Sequence, residues 1–342
     1  MSHEARIEEL KSDLARQLRG DSGTPRRDGR GREATHPAEI PPRGWKDVLW
    51  RAWNEMSEQN LFLIAGGVTY AILLALFPGM AALVSLYGLA FDVTQIEQRV
   101  GALAGVLPPE TLDLLRAQLH TLAEASSGAL GLGAGMGLVL ALWSASRGMS
   151  GLVTAINIAY EEKERRGFFK LTMIALALTL ALIIGGAVAI ALIAVLPAAA
   201  QLLPLGSAIK WVLLIVQWPV LVVLVMLGLA VLYRYAPDRD KPQWRWVSPG
   251  AITATILWIV ASIGFTVYVA NFNSYDKTYG SLGGLVILLT WLYLSAIIVL
   301  LGAAINAQSE RQTRHDSTEG PWRAMGQRDA HAADTLGASK EG

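Results

Sequence analysis

Six long apolar stretches separated by short charged loops constrain this 342-residue chain more than any other feature. A bilayer core about 30 Å thick requires roughly 20 apolar residues in a helix. Hydrocarbon offers backbone groups no partner, so spanning segments are helices or closed barrels, and continuous runs lack the alternation of a barrel. The stretches are 61–91, about 126–146, 170–196, 211–233, 249–272 and 282–309. We therefore predict an all-α polytopic membrane bundle of six transmembrane helices.

The distribution of basic residues predicts which ends of these helices face the cytoplasm. Of the 29 Lys and Arg residues, 25 precede residue 61, lie within 147–170 or 234–245, or follow residue 310. Only four lie in the alternate loops. Cytoplasmic loops are enriched in Lys and Arg, so we expect six spans with both termini in the cytoplasm.

Composition along the chain predicts one membrane domain between two tails. Residues 1–44, rich in Gly, Pro and Arg, and residues 311–342 are typical of disordered cytoplasmic tails. The transmembrane domain covers 45–310 and begins with an amphipathic helix over 45–58, whose Trp residues predict a place at the cytoplasmic interface. The outer loop 92–125 predicts two amphipathic helices, which form either a lid or a packed surface without function.

Several classes of chemistry find no support in the composition. The chain has no Cys, which excludes disulfides and thiolate metal sites. Its five His residues lie in the tails or the outer loop, and the last four spans contain no Asp or Glu. A proton relay normally needs such groups within the membrane. We expect no cofactor, no metal site and no cleavable signal peptide.

Arg147 is the most informative single residue because no other charge lies between Glu124 and Glu161. An arginine within the bilayer costs at least about 2.5–3.5 kcal/mol unless it faces water, a partner or a headgroup. Small and polar residues lie on or near its helical face, so we predict that this face points into the bundle and binds an anion. The alternative is a snorkelling anchor at the headgroup level. The predicted substrate-binding residues are Arg147, Ser144, Gly148, Gly151 and Asn157.

Two further segments have compositions typical of hinges. The first apolar stretch is longer than a span requires, and Pro78 predicts a kink or a division into a re-entrant half-helix, although tilt alone would absorb the excess. The last outer turn combines aromatic residues, amides and glycines, at Asn271, Tyr275, Lys277, Tyr279, Gly280, Gly283 and Gly284. Pro78 and the three glycines are candidate hinges. The alternative for this turn is an interfacial tyrosine belt with a tight bend.

Short motifs in a fixed order carry a resemblance over roughly 45–310. They are Phe77-Pro78, Leu83-Val84-Ser85-Leu86-Tyr87-Gly88, Trp143-Ser144-Ala145-Ser146-Arg147-Gly148-Met149, Ala155-Ile156-Asn157, Arg234-Tyr235-Ala236-Pro237-Asp238, Ser248-Pro249-Gly250-Ala251, Tyr279-Gly280-Ser281-Leu282-Gly283-Gly284 and Trp291-Leu292-Tyr293-Leu294-Ser295. In this order the chain resembles the YihY/virulence factor BrkB family of bacterial inner-membrane proteins, some long labelled ribonuclease BN. The resemblance implies six spans with cytoplasmic termini, and candidate transporters or lipid-handling proteins of the cell envelope.

One position departs from the pattern that the resemblance implies. Members of that family commonly carry a glutamate in a Gly-Ala-Glu-hydrophobic-Asn motif near the end of the last span. Here Gly302-Ala303-Ala304-Ile305-Asn306 has Ala304 at the acidic position. A role for that carboxylate, including a pair with Arg147, therefore does not transfer to this chain.

These observations favour a transporter or lipid-handling protein for an anionic solute, which is either a lipid or water-soluble. The alternative is a non-catalytic membrane scaffold that organises the envelope through its tails. We do not expect ribonuclease activity or another enzyme activity, because a metal nuclease needs clustered His and carboxylates. The expected partners are membrane lipids and an anionic solute or lipid, without nucleic acid. The sequence leaves a homo-oligomer open.

Overall fold

The computed structural model describes residues 29–90, 132–196, 207–270 and 283–340. Within these ranges the chain forms helices joined by turns and irregular segments, with no β-strand. The helices are α1 Pro42–Glu58, α2 Leu61–Ala90, α3 Leu132–Ala159, α4 Phe168–Ile190, α5 Ser207–Tyr235, α6 Trp244–Ala270, α7 Gly283–Glu310 and the short α8 His331–Asp334.

Five helical segments are long and apolar enough to cross a membrane. They are Val139–Ala159, Phe168–Ile193, Ile209–Tyr235, Trp244–Val269 and Gly283–Glu310. A sixth is reached if α1 and the first part of α2 count as one span, although the two are bent by 68°. This confirms the predicted all-α membrane bundle, whereas the two amphipathic helices predicted for the outer loop 92–125 lie outside the described residues. The side of the membrane on which the termini lie remains a prediction.

The spanning helices pack in a closed circuit. Along the chain, each of α2 to α6 packs against its successor, and α7 packs against α2 to complete the circuit. Helix α7 also contacts α3. The hydrophobic core runs along these contacts, and its fully buried members include Leu61, Val153 and Leu300.

Of the alternatives predicted for Pro78, the division of the first span is wrong. Helix α2 continues through Pro78 to Ala90, so Pro78 does not divide the first span into two helices. The change of direction is at Asn60, which joins α1 to α2 with a φ of 53°. Asparagine tolerates this left-handed conformation better than most residues. Helix α4 ends in a π-helical turn, Ala191–Val195.

The basic regions of the sequence meet at one end of the bundle. We call residues 29–41, 160–167, 236–243 and 311–340 the polar cap. Main-chain hydrogen bonds join its parts: the Arg314 N–H donates to the Arg32 carbonyl, and the Asp240 N–H donates to the Asp329 carbonyl. All four regions used to predict the orientation thus contribute to the same end, as that prediction requires.

The cap is more ordered than the predicted tails. Residues 311–340 and 29–44 pack against the bundle, although their composition predicts disorder. Arg328 is 1% exposed and donates to the carbonyls of Arg314, His315, Arg323 and Ala333. Other cap contacts join segments far apart in the sequence, as where the His331 N–H donates to Glu162. Composition averaged along the chain does not reveal such partners.

Helix α1 connects the cap to the bundle through its polar face. Arg51 is 7% exposed, and its guanidinium donates to the Gln308 and Gln312 side chains and to the Ala338 carbonyl. The opposite face leaves Trp53 59% exposed. Part of the polar face of α1, Asp47, Arg51 and Glu55, is therefore buried, and Trp53 remains exposed toward a membrane surface.

Candidate functional site

Arg147 lies on the surface of the described chain, in the spanning part of α3. Its side chain is exposed, and its guanidinium carbon lies 4.7 Å from the centroid of the Trp143 ring. Among the residues that the structure describes, no carboxylate forms an ion pair with it. This differs from the predicted orientation into the bundle.

The rotation of α3 is set by two glycines that we predicted to be substrate ligands. A Cβ added at Gly148 would lie 2.7 Å from the Ala75 side chain and 3.1 Å from the Ala71 carbonyl oxygen. At Gly151 it would lie 3.4 Å from the Ala71 Cβ. Such close approach is how small residues join membrane helices. These glycines therefore pack against α2, and Arg147 is turned away from that contact.

The remaining predicted ligands on α3 have structural surroundings. Ser144 is half-buried. Asn157 is 3% exposed, its Oδ1 accepts from the Asp238 N–H at 2.8 Å, and its Nδ2 donates to Glu164 at 2.9 Å. Asn157 thus fixes the end of α3 to the loop that follows α5. It is not near Arg147, since ten residues of helix rise about 15 Å.

Helices α2 and α3 share one exposed face that includes Arg147. Arg147 precedes the contact residue Gly148, and the exposed Tyr70 precedes the contact residue Ala71, each by one position or about 100°. Because the helices run in opposite directions, the same rotation from the contact leads to the same side of the pair. The exposed residues of this α2–α3 face are Leu63, Gly66, Gly67, Tyr70, Leu74, Leu140, Trp143, Arg147 and Thr154.

The α2–α3 face offers a cation, a phenol and open space. Tyr70 is 63% exposed and Trp143 is 42% exposed. Apart from the helix's own adjacent backbone, no atom of the described residues lies within 4 Å of a Cβ added at Gly66 or Gly67. An arginine presents donors in a fork that matches phosphate or carboxylate oxygens. The chemistry that this face supports is recognition of an anion beside an aromatic surface.

A second polar cluster, which sequence reasoning missed, lies in the cap. Arg239 donates to both Glu310 oxygens, at 3.0 and 2.7 Å, and both side chains are 0% exposed. The Ser317 hydroxyl also donates to Glu310, and Arg239 lies 5.4 Å from the Tyr160 ring centroid. Acids and bases spaced 71 residues apart carry no local signal, so only an inventory of matched loop charges would have suggested this pair.

Burial shifts the pKa values of two groups beside this pair. Burial raises the pKa of Glu162, although a hydrogen bond from the His331 N–H, at 2.7 Å, opposes the shift. Burial also raises the pKa of the Tyr160 phenol, so it stays protonated. The cluster joins α3, α5, α7 and the cap, and its closed pairing indicates a structural role.

Motif glycines near the end of α7 also have a packing role. A Cβ at Gly250 would overlap the Gly302 carbonyl oxygen. The Asn306 Oδ1 accepts from the Gly250 N–H at 2.7 Å. Ala304 is 0% exposed and packs with Ala52 of α1. An acid at position 304 would therefore lie between α7 and α1, away from Arg147.

The candidate hinge residues divide between described and undescribed parts of the chain. Gly283 is buried and Gly284 is exposed at the start of α7. The other predicted residues of this turn lie outside the described residues: Asn271, Tyr275, Lys277, Tyr279 and Gly280. Within the described ranges, no group of three or more His, Asp or Glu could hold a metal ion.

Comparison with known proteins places most of the chain within one family. A family model described as virulence factor BrkB matches residues 52–326. The Bacillus subtilis protein YfkH, named as ribonuclease-like, is 32% identical over 249 residues, which cover 70% of this chain and 86% of YfkH.

Other relatives match over a shorter segment. UPF0761 membrane proteins of Tolumonas auensis and Alteromonas mediterranea are 41% and 46% identical over 80 and 78 residues. These matches cover 23% of this chain and 26% of each relative. No solved structure matches the chain.

Proposed function

Because this chain belongs to the virulence factor BrkB family of multi-pass membrane proteins, we propose that it binds and moves an anionic solute of the bacterial cell envelope. Arg147 recognises the charge of the solute. The protein lies in the inner membrane, and the polar cap and both termini lie in the cytoplasm. The positive-inside distribution of Lys and Arg supports this orientation.

The observation that carries the proposal is the depth of Arg147, which pairs with no carboxylate of the described residues. Exposed aromatic residues mark a boundary near the cap: Phe168 and Phe169 begin α4, and Tyr235 and Trp244 end α5 and begin α6. Aromatic belts of this kind lie at the headgroup level. Arg147 precedes the end of α3 by twelve residues, or about 18 Å.

That depth bears on the snorkelling alternative. The midplane of a hydrocarbon core about 30 Å thick lies about 15 Å from either boundary. Snorkelling serves arginines near helix ends, whereas an arginine near the midplane is costly unless water or a partner compensates its charge. An anionic solute supplies that compensation, and Trp143 adds an aromatic surface against the same guanidinium.

Native mass spectrometry of detergent-purified protein tests this proposal. We expect the wild type to retain an anionic species, lipid or soluble, that Arg147→Ala loses and Arg147→Lys retains in part, since Lys keeps the charge without the planar fork. Arg43→Ala, which removes an exposed arginine on α1, is the matched control and should retain it. Equal retention by the wild type and Arg147→Ala would contradict the proposal.

A scaffold function is the second candidate, and one observation favours it. Trp322 in the cap is 71% exposed, and tryptophan is a residue type enriched at protein–protein interfaces. Because residues 311–340 pack against the bundle, deleting them would test folding as well as recruitment. Trp322→Ser changes only the surface, so loss of function in this variant, with Arg147→Ala fully active, would favour the scaffold.

We do not extend the ribonuclease-like name of YfkH to this chain. A metal nuclease brings His and carboxylate side chains together to hold ions and orient water. Arg147 and the α2–α3 face instead present a cation and aromatic side chains. Degradation of RNA by highly purified protein, abolished by a point substitution, would overturn this view.

A further inference from the structure

Polar and small residues of α2 and α3 form a track between the cap end and Arg147. Gly66 and Gly67 lie five and six residues into α2, and Thr154 lies five residues before the end of α3, so all three are roughly 8 Å from that end. Tyr70 lies about 13 Å in. Arg147 lies about 18 Å from the cap end, so these residues are spaced at increasing distances from that end along one exposed face.

The α2 and α3 residues of this track lie at the same distances from the cap end because close contacts fix the two helices relative to each other. Gly148 contacts Ala71 and Ala75, so Arg147 lies at the level between those residues of α2. Tyr70 and Leu74, which flank Ala71 on the exposed side, therefore lie opposite Arg147 across the groove. The Tyr70 hydroxyl makes no hydrogen bond with any residue that the structure describes, and so is free to donate to a ligand.

We propose that the α2–α3 face is a lateral groove in which the headgroup of an anionic phospholipid moves between the cap-side leaflet and Arg147, while its acyl chains stay in the bilayer. This inference rests on the proposed function and names the substrate class. Charge complementarity selects the occupant: the guanidinium pairs with the phosphate, and Tyr70 donates a further hydrogen bond. A zwitterionic lipid would bring a second cation to Arg147 and bind less well.

The cap argues for lateral access over a route along the axis of the bundle. At the cap end, the fully buried Arg239–Glu310 pair joins the loop after α5 to the end of α7. Breaking a buried pair costs about 3–5 kcal/mol. A solute that passed between these elements would pay that cost in each cycle. The α2–α3 face is already open beside them and requires no such rearrangement.

The open glycines let the groove be blocked without disturbing the fold. In the described part of the chain, a Cβ added at Gly67 on the track or at Gly264 on α6 would meet no atom within 4 Å beyond its own helix backbone. A leucine at position 67 would occupy the path of the headgroup, whereas a leucine at position 264 would lie on another helix. The pair Gly67→Leu and Gly264→Leu therefore separates obstruction from a general effect of a larger side chain.

Lipid exchange between leaflets provides the test. Proteoliposomes that contain fluorescent phosphatidylglycerol or phosphatidylcholine report movement through quenching by an impermeant reductant. We expect wild type and Gly264→Leu to move phosphatidylglycerol faster than phosphatidylcholine. Arg147→Ala should slow this movement about tenfold, as the loss of one hydrogen bond to a charged group predicts, and Gly67→Leu should slow it by obstructing the path of the headgroup. Unchanged thermal stability of Gly67→Leu would show that its fold is intact.

Contact with the groove is tested by a photoreactive amino acid at position 70, compared with position 223 on the exposed side of α5. Phosphatidylglycerol should crosslink at position 70 and compete there against phosphatidylcholine, whereas position 223 should show no preference. Equal crosslinking at both positions would identify ordinary annular lipid and overturn the inference.

The outcomes also separate this inference from the proposed function. Arg147-dependent binding of a soluble anion such as inorganic phosphate, without preference for phosphatidylglycerol, would leave the proposed function standing and reject the lipid groove. If Arg147→Ala changed neither lipid movement nor the binding of a soluble anion, both the lipid groove and the proposed function would be rejected.

Discussion

At the residue scale, the crossing of α6 and α7 depends on the absence of one methyl group. A Cβ at Gly250 would overlap the Gly302 carbonyl oxygen, which is backbone and has little room to move. We expect Gly250→Ala to lower the free energy of unfolding by about 1–3 kcal/mol, the usual cost of overpacking. Gly264→Ala on the same helix has open space at its Cβ and serves as the control. Thermal unfolding in detergent measures both, and equal stabilities would contradict the tight crossing.

Protonation of Glu162 provides a second prediction at this scale. Burial raises its pKa above the ordinary 4.5, so the folded chain binds the proton more tightly than the unfolded chain. Its contribution to the free energy of unfolding therefore falls as pH rises from about 4.5 through the raised pKa. We expect the stability of Glu162→Gln relative to wild type to increase as the pH rises through this range. Thermal unfolding of both proteins at a series of pH values measures the difference.

Glu164 is the matched control for Glu162, because its pKa is shifted in the opposite direction. Burial alone would raise the pKa of Glu164, but hydrogen bonds from Arg166 outweigh it and lower the pKa. The stabilising contribution of Glu164 is therefore present above its unfolded pKa and is lost as pH falls. Glu164→Gln should lose stability relative to wild type as pH rises from acidic to neutral. The same pH trend in both variants would contradict the assigned shifts.

At the element scale, the Arg239–Glu310 pair holds α7 to the loop between α5 and α6. Glu310→Ala leaves a buried guanidinium without its partner, and we expect a loss of about 3–5 kcal/mol. The double substitution Arg239→Met with Glu310→Leu should recover much of that loss, because well-packed apolar side chains often replace a buried pair. Arg314→Ala breaks the exposed pair with Glu33 and should change thermal stability little.

Hydropathy predicted most helices to within a few residues, but the predicted stretch 126–146 corresponds to α3, Leu132–Ala159, which ends 13 residues later. The stretch 249–272 corresponds to α6, which begins earlier, at Trp244. The stretch 211–233 corresponds to α5, Ser207–Tyr235. Hydropathy measures transfer into hydrocarbon, whereas a helix continues through the aromatic and charged residues of the interface as long as its backbone bonds are satisfied.

At the scale of the whole molecule, the absence of cysteine allows a direct test of orientation. Single cysteines at the exposed Lys163 and Gln327 lie in the polar cap. Both should resist a membrane-impermeant maleimide in intact cells and react after the inner membrane is opened. A cysteine at Lys277, in the predicted outer turn, should react without that step. Labelling of position 327 in intact cells would reverse the proposed orientation.

The sequence by itself determined the class of the protein and the grouping of its loops. Apolar length requires membrane helices, and alternation of basic loops assigns those loops to one end, because both properties add along the chain regardless of contacts. The family resemblance likewise needed only the order of short motifs. These features were confirmed by the helices and by the family match over residues 52–326.

The tertiary structure decided the rotation of α3 and the order of the cap. Hydropathy averages over all sides of a helix, so it does not say which side meets a neighbour. The close contact of Gly148 with Ala71 and Ala75 does, and it turns Arg147 outward onto the α2–α3 face. The cap is ordered by pairs such as Arg239 and Glu310, which are 71 residues apart in the sequence and meet only in the folded chain. Local composition therefore does not predict their interaction.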